Sequence, residues 1–390
     1  MLQILVKWLC TLWVIRGVPI GGHRVRLGLA FVATLHAVII LQMSDFSPAN
    51  FPDWPHHEVV YRGALQAVKK QLDGDVVGME SLAYHAASQK LYGGTRDGWI
   101  VEISISIPNV MEIVGKYPYG NETRKRRPLG MRFSPTDADS LVFLDAYQGI
   151  FRFDVSKKEI HSIYSNPSTV NLYLNDFDFL SNGDLIISQP CTTESDSSFH
   201  RIVLASQPSG RLLRWSRAQQ SMSIVADGLY APNGVQASPD RKSIIFAEMM
   251  AYRLNKVVFD EESGAVSTIR PLIEGLPGMP DNIRLMDDNI TLIVPLPEDR
   301  LELPWFLNYS FVKYYMLWVY ETFFHTSKPH IGEFAAILFV HSETGKIVDA
   351  WDDPSGEAIG GITQVTQIQG KQLVFGTDTA PCLFITNEFS

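Results

Sequence analysis

The sequence predicts an all-β fold, a six-bladed β-propeller carried behind an N-terminal transmembrane anchor. Three observations predict it. Residues 27–43 form an uncharged apolar run; beyond Pro55 the chain breaks into short strands punctuated by Gly, Asp, Asn and Pro; and one phrase recurs, a strand, a small or acidic residue, an aromatic, Gly and a second strand, as in DAYQGIFRF and TRDGWIVEI. Radially stacked antiparallel meanders give that recurrence.

Composition sets the outer limits. A chain of 390 residues with 46% hydrophobic and 19% charged residues has ample apolar surface for a large core, which excludes disorder, collagen and coiled coil. The net charge of -9 supplies no basic field for a phosphate backbone, so nucleic acid is not an expected partner. Three cysteines, Cys10, Cys191 and Cys382, stand far apart with no Cys-x-x-Cys spacing; neither a zinc site nor a disulfide-dense scaffold is expected, and at most one bridge can form.

The first element is a cytosolic segment, residues 1–26, holding Lys7, Arg16, Arg24 and Arg26. The second is the run LGLAFVATLHAVIILQM, 27–43, a signal anchor at the short end of what spans a bilayer. Behind it come Asp45, Asp53 and Glu58, and this Lys/Arg asymmetry keeps the N-terminus in the cytosol. A type II arrangement follows, with the bulk of the chain luminal or extracellular, at the endoplasmic reticulum or the plasma membrane. A cleaved signal peptide is the competing reading, opposed by the long leader and the absence of a small-x-small site in QMSDFSPANF. The sequons at Asn121, Asn289 and Asn308 agree with that side of the membrane as glycosylation sites.

Residues 44–55 read as a linker and 56–390 as the propeller, which at six blades gives about 55 residues each. One stretch breaks the strand pattern: LELPWFLNYSFVKYYMLWVYETFF, 301–324, dense in aromatics. It reads as a helix on the propeller face, as a patch dipping into the membrane, or as a buried insertion.

Four short motifs carry candidate chemistry: GMESL with Glu80, NDFD with Asn175, PNGV with Asn233, and PDNI with Asp281 and Asn282. Each alone is an ordinary turn sequence. As a set, separated by 95, 58 and 48 residues, they begin the innermost strands of different blades and would point into one channel. Carboxylates at Glu80 and Asp281 and amide oxygens at Asn175, Asn233 and Asn282 make a hard-oxygen ring suited to Ca²⁺.

The phrases RPLGMRFSP, LDAYQGIFRF, LNDFDFLSNGDLIIS, GRLLRWS, DGLYAPNGVQASPD, LPGMPDNIR and GITQVTQIQGKQLVFG together resemble the strictosidine-synthase-like propellers, over about residues 50–390, and most closely their animal branch with a single N-terminal anchor. The family is similar to paraoxonase and gluconolactonase. The resemblance implies an arylesterase- or lactonase-type hydrolase, with calcium ligands at Glu80, Asn175, Asn233 and Asp281, Asn282 beside them, and Asp281 and Asn175 at the reacting ester. It implies a small ester or lactone as substrate, and the membrane as partner through the N-terminal helix. The chain also departs from the pattern. Thr363 stands where the plant enzyme uses a glutamate for its condensation, Gln189-Pro190-Cys191 replaces Asp-Ser-Ser, Leu292-Ile293-Val294-Pro295 replaces Trp-Val-Gly, and none of His85, His161, His200 or His330 matches the paraoxonase His pair. Alkaloid condensation is therefore not expected, and a non-enzymatic receptor or adhesion propeller with structural calcium is the alternative.

Overall fold

The computed structural model describes residues 23–106, 110–166, 172–260, 264–300, 305–324, 334–369 and 372–386; Cys10 and most of the expected cytosolic segment lie outside them. Among the described residues, twenty-four strands form six four-stranded antiparallel sheets. Five blades are built from consecutive strands. Their innermost strands are Leu82–His85, Pro128–Ser134, Phe177–Phe179, Pro232–Ala237 and Arg284–Leu285. The sixth blade combines both ends of the propeller segment: Ile362–Gln367, Leu373–Thr377 and Leu383–Ile385 are completed by the early strand Lys69–Gln71, which pairs Lys69 with Ile385 and Gln71 with Leu383. That pairing closes the ring and covers an edge that would otherwise be open.

Each innermost strand neighbours the next around the channel, Ile362–Gln367 returning to Leu82–His85. Alternating side chains then make the cores between sheets. Val142, Leu144 and Ile150 of the second blade pack with Phe177, Leu185, Ile187, Leu213 and Trp215 of the third, and each fully buried large side chain contributes about 1.5–3 kcal/mol. Glycines occur where innermost strands approach most closely. A Cβ on Gly234 would collide with the backbone of Asp281 and Ile283, and one on Gly130 with the backbone of Asn175.

Three α-helices are described: α1 (His23–Gln42), α2 (Phe199–Ala205) and α3 (Ser310–Val319). The chain divides into two compact units, Pro52–Leu303 with Pro329–Ser390, and Met1–Phe51 with Pro304–Lys328. The aromatic stretch is helical, as one reading of its sequence expects. Within its own unit it packs on α1: Tyr315 stacks on His36 with ring centroids 5.8 Å apart, Trp318 Nε1 donates to Gln42 Oε1 at 2.8 Å, and Phe46 meets Tyr314 edge-on. Lys313 is buried, its ammonium donating to the Ala49 carbonyl. A wholly buried insertion is not what forms, since Phe306, Tyr309, Phe311, Met316, Val319 and Phe323 are exposed. Among the described residues no helix is long and apolar enough to cross a membrane. Cys191 and Cys382 are buried free thiols.

Candidate metal centre

The expected ring residues occupy the entrances of four innermost strands. Glu80 precedes Leu82–His85, Asn175 precedes Phe177–Phe179, Asn233 opens Pro232–Ala237, and Asp281 and Asn282 precede Arg284–Leu285. All five are buried. Backbone and side-chain contacts tie them into a circle. Asn282 Nδ2 donates to Glu80 Oε1 at 2.9 Å; Asn282 N–H donates to the Thr363 carbonyl at 3.0 Å, and Thr363 Oγ1 to the Glu80 carbonyl at 2.9 Å. Asn233 hydrogen-bonds the Asp281 carboxylate. Val235 N–H donates to Asp176 Oδ2 at 2.9 Å, which sets the strand led by Asn175 beside the one led by Asn233.

One oxygen on each of the five has no hydrogen-bond partner although it is buried: Glu80 Oε2, Asn175 Oδ1, Asn233 Oδ1, Asp281 Oδ1 and Asn282 Oδ1. Buried acceptors are ordinarily satisfied, and leaving one unmade costs about 1–3 kcal/mol. Five such acceptors stand at the entrances of four innermost strands. Among the described residues no group of three or more His, Cys, Asp or Glu lies together, so a cation here depends on amides as much as on carboxylates, a donor set suited to Ca²⁺ rather than to zinc.

The electrostatics point the same way. Burial raises the Glu80 carboxyl to about 7, against the opposing pull of the Arg127 guanidinium and the Asn282 amide. Burial first and the Glu80 charge second push Asp281 well above the usual carboxylate range. Two buried carboxylates close to one another favour protonation.

Sequence reasoning missed the groups that frame the ring. Arg127 is fully buried beside Glu80, giving a hydrogen bond to the Gly78 carbonyl at 3.1 Å and another to Asp378 Oδ1, while its Nε, 3.7 Å from Asp196, makes no hydrogen bond. Beneath the ring, Arg284 grips Asp176 with both Nη atoms, at 2.7 and 3.1 Å, and donates to Gln364 Oε1 at 2.6 Å; Ser81 Oγ reaches the same oxygen at 2.7 Å. This network links the innermost strands of four blades. Asp176 and Arg284 sit inside the quoted NDFD and PDNIR phrases, but nothing in those phrases says that the two pair across a hundred residues. Thr363, buried in the sixth blade, has no ionisable group for acid–base work. His85 packs on Phe133 at 4.9 Å between ring centroids and hydrogen-bonds Ser88, away from the ring.

Residues 116–294 match the SMP-30/gluconolactonase/LRE-like region. An adipocyte plasma membrane-associated protein of Danio rerio is 30% identical over 56% of this chain, and the match spans about half of that relative's length, 54%. Strictosidine synthase-like 4 of Arabidopsis thaliana is 25% identical over 89% of this chain and 91% of its own. Among solved structures, a gluconolactonase of Xanthomonas campestris superposes with a TM-score of 0.54 at 14% identity, covering 87% of this chain and 96% of its own. Regucalcin of Agrobacterium tumefaciens, described as a calcium-binding protein, superposes with 0.52 at 12%, covering 81% and 92%. These two likenesses establish the propeller fold.

Proposed function

We propose that this chain, a relative of the adipocyte plasma membrane-associated and strictosidine synthase-like proteins, is a membrane-anchored, calcium-dependent hydrolase of small esters or lactones. The observation that carries the reading is the set of five uncompensated oxygens at the ring. Bound Ca²⁺ would polarise the substrate carbonyl and stabilise the negative charge that develops on its oxygen. Glu80 and Asp281 offset the charge of the ion, and Asn175, Asn233 and Asn282 add neutral oxygens, leaving a nearly neutral seat. Asn175 and Asp281 flank the reacting ester. Asp281, the carboxylate placed at the ester in this reading, would pass the proton of the attacking water to the departing alkoxide. Arg127 contributes a fixed positive charge beside Glu80. The Arg284–Asp176–Gln364–Ser81 network fixes the innermost strands that carry the ring residues.

In this reading α1 holds the chain at the membrane, and the exposed sequons at Asn121, Asn289 and Asn308 carry glycans on the luminal or extracellular side. A second reading, a receptor or adhesion propeller whose calcium only ties blades together, is favoured by the origin of the ring residues in four separate blades. One experiment separates the two. Purified without chelator, the protein should contain one calcium per chain and turn over phenyl acetate or a γ-lactone, and Asn233→Ala should abolish turnover. Stoichiometric calcium without turnover selects the second reading; no calcium and no response to added Ca²⁺ removes both.

A further inference from the structure

A buried hydroxyl ordinarily finds a hydrogen-bond partner, and one beside the ring has none. Tyr173 stands two residues before Asn175 and is 4% exposed, yet its hydroxyl makes no hydrogen bond to any described residue. It lies within electrostatic reach of Asp196, Glu80, Asp378 and Arg127. Asp378 and Glu80 act in turn on Asp281, so the phenol shares its surroundings with both carboxylates of the ring.

Each carboxylate around it has another donor. Asp378 accepts from Arg96 Nη1 at 2.7 Å and from Arg127 Nη2. Asp196 accepts from the Tyr147 hydroxyl at 3.2 Å, which accepts from Lys125 Nζ at 2.6 Å. Glu80 Oε1 takes the Asn282 amide, and Oε2 belongs to the oxygens assigned to calcium in the proposed function. One O–H donor is therefore surplus beside a group of surplus acceptors. A single oxygen of a bound molecule completes both sets, since a carbonyl oxygen carries two lone pairs, one for a cation and one for a phenol. Charge does not oppose such a guest. Arg96 and Arg127 offset Asp378 and Asp196, and the ion offsets Glu80 and Asp281.

We propose that Tyr173 is a catalytic residue of this site, its hydroxyl donating a hydrogen bond to the carbonyl oxygen of the bound ester or lactone. The inference rests on the hydrolase reading and adds to it a donor from the chain itself. No bond to Tyr173 forms or breaks. Attack of water at the carbonyl carbon moves an electron pair onto that oxygen, the hydrogen bond strengthens as the charge develops, and it relaxes when the pair returns and the C–O bond to the alkoxide breaks. A donor used in this way favours the transition state over the bound substrate, so it acts on kcat and leaves KM nearly alone.

The test uses the full chain in detergent with saturating Ca²⁺. Tyr173→Phe removes one oxygen that no described group holds, so melting temperature and calcium stoichiometry should stay as they are. Its kcat for phenyl acetate should fall about 10²-fold with little change in KM. Calorimetry gives a readout that needs no turnover: the variant should bind phenyl methylphosphonate, a mimic of the tetrahedral oxyanion, at least about tenfold more weakly, a difference of about 1.4 kcal/mol. It should bind acetanilide, an unreactive carbonyl analogue, as the unmodified chain does. Tyr147→Phe removes a neighbouring hydroxyl that already has partners and should keep kcat. Undiminished kcat in Tyr173→Phe, an equal loss in Tyr147→Phe, or loss of calcium from Tyr173→Phe overturns this inference and leaves the hydrolase reading standing. An unmodified chain that holds calcium but neither turns over phenyl acetate nor binds the phosphonate overturns both.

Discussion

Five side-chain oxygens at the ring give the residue scale its clearest consequence, a link between calcium and pH. In the metal-free protein the Glu80 carboxyl is raised from 4.5 to about 7, so between those values the folded state holds a proton that the unfolded chain has released. Its contribution to stability is complete at the acid end and is lost as pH rises through about 7. Calcium competes with that proton. The rise in melting temperature on adding Ca²⁺ should therefore be small at pH 5.5 and larger at pH 8, and Glu80→Gln should both weaken calcium and flatten the pH dependence. At saturating pH, the stabilisation at a hundredfold excess over the dissociation constant should be about 2.7 kcal/mol. A thermal-shift series in chelator and in Ca²⁺ checks this, and equal shifts at both pH values would sink it.

At the scale of elements, α1 and α3 depend on each other. Tyr315 on His36, Trp318 on Gln42 and Lys313 on Ala49 cover one face of the aromatic helix, so cutting away residues 1–50 uncovers that face and adds it to the side chains already exposed. The truncated chain should sediment with membranes or aggregate. Removing 1–50 and also replacing 304–328 with a short Gly-Ser linker should yield a soluble propeller, because Lys69–Gln71, the strand that closes the sixth blade, is retained. Extending the cut through Gln71 should lose the folded state, since Leu383–Ile385 then becomes an open edge over the Leu383, Ile385 and Val374 core. Centrifugation and circular dichroism of the three truncations give the comparison; a soluble, folded 72–390 fragment would refute the closure argument.

For the whole molecule the topology is testable through its glycans. Asn121, Asn289 and Asn308 are exposed, and the Asn121 side chain already accepts from Thr123 N–H and Oγ1 at 2.9 and 2.8 Å within its own sequon. Expressed in a eukaryotic cell, the chain should lose mass on glycosidase treatment, and the loss should vanish in the triple Asn→Gln variant. A propeller open to protease from the cytosol and unshifted by glycosidase would reverse the orientation read from the charge asymmetry.

The sequence alone determined the repeat and the number of blades, and it placed five polar residues at the starts of innermost strands, because strand alternation, turn residues and short polar motifs are local signals that survive without knowledge of neighbours. It also marked residues 301–324 as an exception, again from local composition. Partnership across the channel was decided only by the tertiary structure. That Lys69–Gln71 completes a blade whose other strands lie some three hundred residues later, and that Arg284 and Arg132 both pair with Asp176, are facts of ring closure. The same holds for the unsatisfied state of the five oxygens. An Asn at the start of a strand reads identically whether its amide oxygen meets water, a backbone N–H or nothing, and only its burial beside the other strand entrances turns that residue into a candidate ligand.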